Sequence, residues 1–539
     1  MKTIGQYACM IFICCCMAPV QAQTEFSVGM DTFSIQDMPG LHSFAYAQAG
    51  NKVLFVGGRR DGLHGQFDAF NEAGANKEVF VVDPEARQVW SASTAGLPAA
   101  VREQLQTAGM QFYQDGDKLL FLGGYGFSPT KNNYITHAAL LSIDAPALMN
   151  AVINGGDIAP HFQQVQDTFF AVAGGGLEKI GDTYYLVGGH FFEGFYASGW
   201  GGTAKQVYTD AIRKFKLDLS GPVPAVYDQQ STVDQWNLHR RDYNLVPQIM
   251  PDGRQGLTIF SGVFQPGQAA LPFLNLVNIT ESGHAPVENF NQYLTQYHSA
   301  KLPVYDSIRQ EMHTFFFGGM SQYTPDAAGN LIKDNRIPFT NQISRITRDA
   351  QGKYTESLMR TRMPFHTGTN SELILLPNTP LHGAKIVDGT QFNTDSLLVG
   401  YLFGGIQTPS TDLNPYVNDN TSATSAGSVF FKVYLKRSPT VSAKAIPLNG
   451  RFDLQLSLYP NPASRALYVS LATPQASGLR LILQNTEGKI CREWQYDNQP
   501  AGQLSVNLEL PTLSPGPYFL TANVAGIYMS SQIFFINQF

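Results

Sequence analysis

The stretch KVLFVGGRRDG ends a short apolar run on two glycines, and Arg59, Arg60, Asp61 and His64 follow at once. Residues of the same chemical kinds recur after later glycine pairs: Tyr125, then His190 with Phe191 and Phe192. More stand where other runs begin: His42, Glu178, Arg241, Asp242, Tyr243, His298 and His366, while the loop HFFEGFYASGWGG adds Tyr196 and Trp200. Guanidinium and carboxylate groups orient a polar ligand, imidazoles exchange protons near neutral pH, and aromatic rings supply stacking faces. The set suits recognition of a glycan or a peptide end. The ligand-binding candidates are Arg59, Asp61, His64, Tyr125, Glu178, His190, Arg241, Asp242, His298 and His366. Each also has a purely structural alternative: an Arg–Asp lock within HRRDYN, loop salt bridges at Arg59 and Asp61, or histidines bonded to neighbouring backbone.

Patterns that would assign a reaction are absent from the sequence. There is no HExxH, no Cys/His metal spacing, no GxSxG and no Ser-x-Asp-x-Gly repeat. GGYGFS at Gly123 lacks the dinucleotide spacing and opens no helix. No cofactor or metal is expected, since nothing in the spacing shows that His42, His298 and His366 converge. An enzyme that needs only an acid and a base, such as a sugar isomerase, mutarotase or lyase, is the alternative to a binding protein. Glu178, His190, His298 and Asp242 are its acid–base candidates.

The elements that must position these residues repeat. KVLFVGG, KLLFLGG, TYYLVGG, LTIFSG, HTFFFGG and GYLFGG end at Gly58, Gly124, Gly189, Gly262, Gly319 and Gly405, at intervals of 57 to 86 residues. Turn signals such as QDGDK precede them, and the runs are apolar on both faces, as strands covered on both sides are. Glycine there permits close backbone approach and positive φ. A second apolar strand follows each loop, beginning near Glu78, His137, Ala211, Leu274, Ile343 and Val429. Helical insertions are predicted at Pro98–Gly109 and Ala145–Asn154.

The order apolar strand, Gly-Gly, long loop, apolar strand, aspartate turn, aromatic (Trp90 in the first unit) resembles the kelch repeat over residues 25–437. The resemblance implies an all-β fold, a six-bladed kelch-like β-propeller. The strand near Phe33 has no unit of its own, while the last unit has one strand too few. The N-terminal strand is therefore expected to complete the last blade. In such a ring the starts of inner strands and the loops after Gly-Gly share one face. Copper oxidases of the kelch type need a Tyr–Cys cross-link, for which the propeller has no cysteine.

The flanks concern export. Lys2, the run ACMIFICCCMAPV and Val20-Gln21-Ala22 read as a signal peptide over residues 1–22, implying Sec export to the periplasm. Four of five cysteines (Cys9, Cys14, Cys15, Cys16) lie there, leaving Cys491 and no intramolecular disulfide. The propeller is expected over 23–437, a Ser/Pro/Ala-rich linker over 438–454, and a small Ig-like β-sandwich over 455–539. With a formal charge of −6 and no basic stripe, nucleic acid is not an expected partner, and no later run is long enough for an integral membrane segment.

Tyr459-Pro460-Asn461-Pro462-Ala463, Glu487-Gly488-Lys489 and Leu513…Gly516-Pro517-Tyr518 resemble the C-terminal sorting domain of cargo of the type IX secretion system of Bacteroidetes-type bacteria. That resemblance implies secretion or display on the outer-membrane surface, with the type IX machinery as a partner. Tyr459, Pro460, Asn461, Pro462, Gly488, Gly516 and Tyr518 carry the sorting motif. The leading expectation is a secreted or surface protein that binds carbohydrate or protein through the loop face.

Overall fold

The computed structural model describes residues 25–537 apart from 65–68, 197–203, 266–267, 327–329, 392–393, 410–423, 439–445, 448–455, 474–476, 501 and 525–527. The expected signal peptide, most of the expected linker, and Trp200 lie outside the described residues.

Six sheets, each built on four antiparallel strands, follow one another along the chain, and a further four-stranded sheet, Tyr125–Ser128, Asn133–Thr136, His190–Glu193 and Lys205–Tyr208, is made by the loops of the second and third. The first comprises Ala45–Ala49, Lys52–Val56, Glu78–Asp83 and Gln88–Ser93, side by side in chain order. The second (Gln111–Asp115, Lys118–Leu122, Ala139–Asp144, Phe162–Gln166) and third (Gly176–Ile180, Thr183–Val187, Ala211–Asp218, Ala225–Val233) repeat that order. So does the fourth (Asn244–Ile249, Gln255–Phe260, Val277–Thr280, Gly283–Pro286). The fifth (Lys301–Asp306, Glu311–Phe317, Gln342–Arg348, Tyr354–Arg362) adds Val387–Asp388 beside its first strand and Ile446–Pro447 beside its last. The sixth has His366–Leu375, Ser396–Thr408 and Phe430–Ser438, and takes its fourth strand from the N-terminus. Glu25–Phe33 lies antiparallel along Phe430–Ser438, from Glu25 opposite Ser438 to Phe33 opposite Phe430. That is the pairing expected from the unpaired first strand.

The core sits between sheets. Leu54 and Val81 of the first pack with Phe121 and Leu141 of the second, and Leu122 and Leu140 of the second with Leu186 and Phe215 of the third. Equivalent clusters join the third to the fourth, the fourth to the fifth and the fifth to the sixth. Phe403 and Phe430 of the sixth pack with Phe55 and Phe80 of the first, completing the circuit. Two covered faces explain why these runs do not alternate. The predicted helices form at Ala99–Leu105 and Ala145–Asn154, the second capped by Asp144 and ended by Gly155 in the left-handed conformation.

The glycine pairs stitch the circuit. The N–H groups of Gly58, Gly124 and Gly189 donate to the carbonyls of Thr107, Val172 and Arg240, each just before the next sheet, at 2.9–3.1 Å. Gly262, Gly319 and Gly405 donate to Gln296, Thr367 and Leu41 at 2.9–3.2 Å, the last bond returning to the first sheet. Gly123, Gly188, Gly318 and Gly404, the preceding glycines, lie against that carbonyl, whereas Gly57 lies against Phe121, Met110 and the Leu105 carbonyl. A Cβ on Gly123 (φ +62°) would stand 2.1 Å from the Val172 oxygen. Only LTIFSG lacks a true pair, and there Ser261 takes φ +54° while its carbonyl accepts from the buried Arg240 guanidinium at 2.7 Å.

In the tail, Ser457–Tyr459, Ala466–Thr473 and Gly502–Glu509 form one sheet; Ser477–Asn485, Ile490–Gln499, Gly516–Val524 and Tyr528–Ile536 form another. One apolar core, including Leu467, Val469, Leu481, Leu520 and Phe534, serves both. The Asn461 side chain accepts from Phe535 N–H at 2.9 Å, and Ala463 exchanges backbone bonds with Phe535 and Asn537 at 2.7 and 3.0 Å. The Tyr-Pro-Asn-Pro-Ala segment thus holds the last strand in place.

Gly123→Ala is expected to lower unfolding free energy by about 2–5 kcal/mol, combining the carbonyl clash with positive-φ strain. Gly116 has φ +57° but open space around it, so Gly116→Ala is expected to lose only about 1–2 kcal/mol. Urea unfolding midpoints of the two variants check the difference; equal losses would show that close sheet contact is not what the glycine pairs serve.

Candidate functional site

Bridges join the start of a sheet to the residue after its glycine pair: His42 with Arg59, Ala108 with Tyr125, Ala173 with His190, and Arg241 with Val263. The starts of first strands and the loops after Gly-Gly therefore do lie on one face in these four sheets. On that face the six sheets converge on a cavity of about 120 Å³. Its wall takes the residue after the glycine pair from five of the six sheets: Arg59, Tyr125, His190, Met320 and Ile406. In the fourth sheet Phe264, one residue further on, takes that place. Its floor is Ser43, Gly109, Gly174, Asp242 and Asn370.

The floor is a hydrogen-bonded hub. Ser43 N–H donates to Asn370, Asn370 to His298, His298 to Asp242, Asp242 to Gly174 and Gly174 to Gly109, each through the backbone carbonyl, at 2.7–3.2 Å. Ser43, Gly109, Gly174, Asp242 and Asn370 all have positive φ, which turns the chain from loop into strand at each step.

Charges in this pocket are unevenly matched. Arg59 engages Asp61 through both Nε (2.9 Å) and Nη2 (2.5 Å), and His42 Nε2 stands 3.5 Å from the same carboxylate. Burial would raise the Asp61 pKa, but the His42 and Arg59 bonds and charges outweigh it and hold it well below the carboxylate range. Arg241 is buried against the Phe264 ring, 4.0 Å from its centroid. Its Nη1 lies 3.2 and 3.1 Å from the two nitrogens of His190. Burial, then the Arg241 charge, push His190 well below its ordinary pKa, so its ring is neutral at pH 7. Tyr125 donates to the Gly194 carbonyl at 2.6 Å and packs edge-on to Phe192 and Phe70, and His64 packs against Phe70 and Tyr196.

Below the hub a larger cavity, about 440 Å³, runs between the first strands. It shares the five floor residues and is lined further by Tyr46, Glu178, His298, Lys301, Glu372 and Lys385. Glu372 accepts from Lys301 at 3.3 Å and meets His298 Nε2 at 3.1 Å, while Lys301 Nζ is 2.9 Å from that same nitrogen. Burial would raise the Glu372 pKa, yet the charges of Lys301 and His298 bring it down to about 2. Glu178 accepts from Lys385 at 2.7 Å. Lys385 belongs to the segment joining the first two strands of the sixth sheet, which crosses to the third sheet here and reaches the Tyr113 ring of the second.

Of the ten candidates, Arg59, His64, Tyr125, His190, Arg241 and Asp242 meet in the upper cavity, with Asp61 held at its edge by Arg59. Glu178 and His298 face the lower cavity, with Asp242 shared, and His366 lines neither. His42, His298 and His366 therefore do not share one cavity, and among the described residues no group of three His, Cys, Asp or Glu could hold a metal ion. The HRRDYN arginines divide their work: Arg240 bonds the carbonyls of Asn237, Ser261 and Asn275, and Arg241 enters the pocket. Reading polar and aromatic residues missed the aliphatic Met320 and Ile406, which the position after each glycine pair identifies. Lys301, Glu372 and Lys385 carried no signal, because their partners lie on other sheets.

Residues 457–536 match the family described as the secretion system C-terminal sorting domain. The tail is thus a type IX sorting domain, and the protein is exported and located at the surface or secreted. Among the described residues no helix is long and apolar enough to cross a membrane. No curated protein sequence matches the chain. Among solved structures, that described as YjhT is similar at 9% identity and TM-score 0.40, over 73% of this chain and 99% of that one. PorZ, a surface component of the type IX secretion system of Porphyromonas gingivalis, is similar at 8% identity and TM-score 0.24, over 93% of this chain and 60% of its own. A glycoside hydrolase family 43 arabinoxylan arabinofuranohydrolase from Bacillus subtilis is similar at 10% identity and TM-score 0.27, over 93% and 96%.

The depressed Glu372 pKa sets a pH dependence. Its stabilisation is complete above about pH 4.5, the ordinary value, and is lost as pH falls towards 2. Wild type is expected to lose about 3 kcal/mol through this group over that range, and Glu372→Gln to lack that part of the loss. Urea unfolding of both proteins at pH 7 and about pH 2 checks it; parallel losses would remove Glu372 as the cause.

Proposed function

We propose that the chain is an exported binding protein: a six-bladed, kelch-like β-propeller over residues 23–437 that recognises carbohydrate or protein through its loop face. A signal peptide at 1–22 directs it to the periplasm, and an Ig-like sorting sandwich over 455–539, after a linker at 438–454, engages the type IX machinery. The observation that carries the reading is the upper cavity, to which five sheets each give the residue after the glycine pair and the fourth gives Phe264. Aromatic walls with a few fixed polar groups are the composition of a recognition pocket. Arg59, His64, Tyr125, His190, Arg241 and Asp242 are its contacts, with Asp61 orienting Arg59.

A channel enzyme of the isomerase, mutarotase or lyase kind is the second reading. It is favoured by the lower cavity, where Glu372, His298 and Lys301 form one hydrogen-bonded cluster in a lining shared with Asp242 and Glu178.

The exported full-length protein is expected to capture a glycan on an array or a protein from cell-envelope extract, and Tyr125→Ala of unchanged melting temperature to lose at least tenfold in capture. Unimpaired capture by the variant would move recognition away from this face. Catalytic turnover of a sugar, abolished by Glu372→Gln with the fold intact, would replace the binding reading by the enzymatic one. A chain ending at residue 455 is expected to remain inside the cell envelope, as immunoblots of cell and medium fractions would show.

A further inference from the structure

Resting on the reading of the upper cavity as a ligand pocket, we infer that its ligand presents a single carboxylate on a ring-sized hydrocarbon body, with the Arg241 guanidinium as the anchor.

Arg241 is only 8% exposed, and its cation is incompletely matched. Among the described residues its Nε has no hydrogen-bond acceptor. Its Nη2 makes one long contact, 3.4 Å, to the Tyr196 hydroxyl. Its Nη1 stands almost equally far from both His190 nitrogens, so it lies against the ring rather than along one lone pair. Gln206 already approaches His190 Nδ1 at 2.6 Å. The nearest carboxylate, Asp242, stands 3.7 Å from Nε, beyond hydrogen-bond reach. Burial raises the Asp242 pKa against the opposing pull of Arg241 and His298.

The Nε–Nη2 edge is the fork that grips a carboxylate through two parallel bonds. Arg59 uses this edge on Asp61 in the same pocket, whereas the Arg241 edge carries no carboxylate hydrogen bond among the described residues, Asp242 lying 3.7 Å from Nε. A carboxylate entering the cavity displaces the long Tyr196 contact and brings a full acceptor to the Nη2 end of the fork. One unmatched guanidinium beside Asp242 disfavours a phosphate or a second negative charge. The remaining wall is mainly apolar, with Phe70, Phe192, Phe264, Met320 and Ile406, while the hydroxyl and ring-nitrogen groups of Ser43, Thr369 and His64 also line it. The volume, about 120 Å³, is near that of a cavity known to hold benzene, about 150 Å³. A hydrocarbon acid or the terminal residue of a peptide satisfies these conditions; a polyhydroxylated sugar acid does not.

The test is ligand-observed NMR titration of the full-length exported protein with benzoate, benzamide, glucuronate and N-acetylphenylalanine. Benzoate is expected to bind at least tenfold more tightly than benzamide and glucuronate; comparable binding of N-acetylphenylalanine would identify a peptide end as the source, and its absence a free acid. Arg241→Gln should abolish the preference for benzoate over benzamide, and Asp242→Asn, which removes the competing carboxylate, should tighten benzoate severalfold. Equal binding of benzoate and benzamide by wild type overturns carboxylate recognition and needs no variant to interpret. Tighter glucuronate overturns the hydrocarbon body. Either result leaves the proposed function to the capture experiment with Tyr125→Ala, which fails or succeeds independently.

Discussion

The hydrogen bond from each second glycine to the carbonyl that opens the next sheet is the constraint on which the rest of the molecule depends. It forms at Gly58, Gly124, Gly189, Gly262, Gly319 and Gly405, and the last returns to Leu41. Each bond places the end of one sheet's second strand against the start of its neighbour's first strand. The residue after the glycine and the residue before the strand are then forced towards one axis. At Gly123, Gly188, Gly318 and Gly404 a side chain would occupy the place of the carbonyl, so in those sheets backbone contact and pocket geometry have one cause.

That constraint separates two chambers. The backbone hub at Ser43, Gly109, Gly174, Asp242, His298 and Asn370 divides an aromatic cavity on the loop face from a larger one between the first strands. The upper chamber concentrates aromatic rings around one under-matched guanidinium. The lower one pairs its carboxylates with lysines, Glu372 with Lys301 and Glu178 with Lys385. The paired lysines and carboxylates are mutually satisfied, whereas a buried cation whose nearest carboxylate stands beyond hydrogen-bond reach favours an added anion. This contrast favours recognition on the loop face over chemistry in the channel.

Export makes a different demand. Within the described residues Cys491 is the one free cysteine, so the folded state rests on apolar packing between sheets. The N-terminal strand supports it by covering the edge of Phe430–Ser438 along nine residue pairs. In the tail, Asn461 and Ala463 bind the final strand, so the recognisable motif and the C-terminal strand form one unit.

Local pattern was enough for much of this. The glycine pairs, the turn signals and the doubly apolar runs marked the second strands, and both helices were visible from their residues. The Tyr-Pro-Asn-Pro segment marked the tail. Candidates adjacent to the glycine pairs, Arg59, Tyr125 and His190, reached the pocket because the bond that closes the circuit also sets their direction. His366 did not, because it lies three residues before Thr369, beyond a register shift in its pairing with Ser396–Thr408. Only the tertiary structure decided which charges meet. Lys385 and Glu178 are 207 residues apart, and Lys301 and Glu372 are 71. No local periodicity encodes such pairs, since they depend on the closure of six sheets about one axis. The sequence by itself determined the repeating strands and the route of export; the closure decided that Arg241 is buried without a full partner while Arg59, in the same pocket, has one.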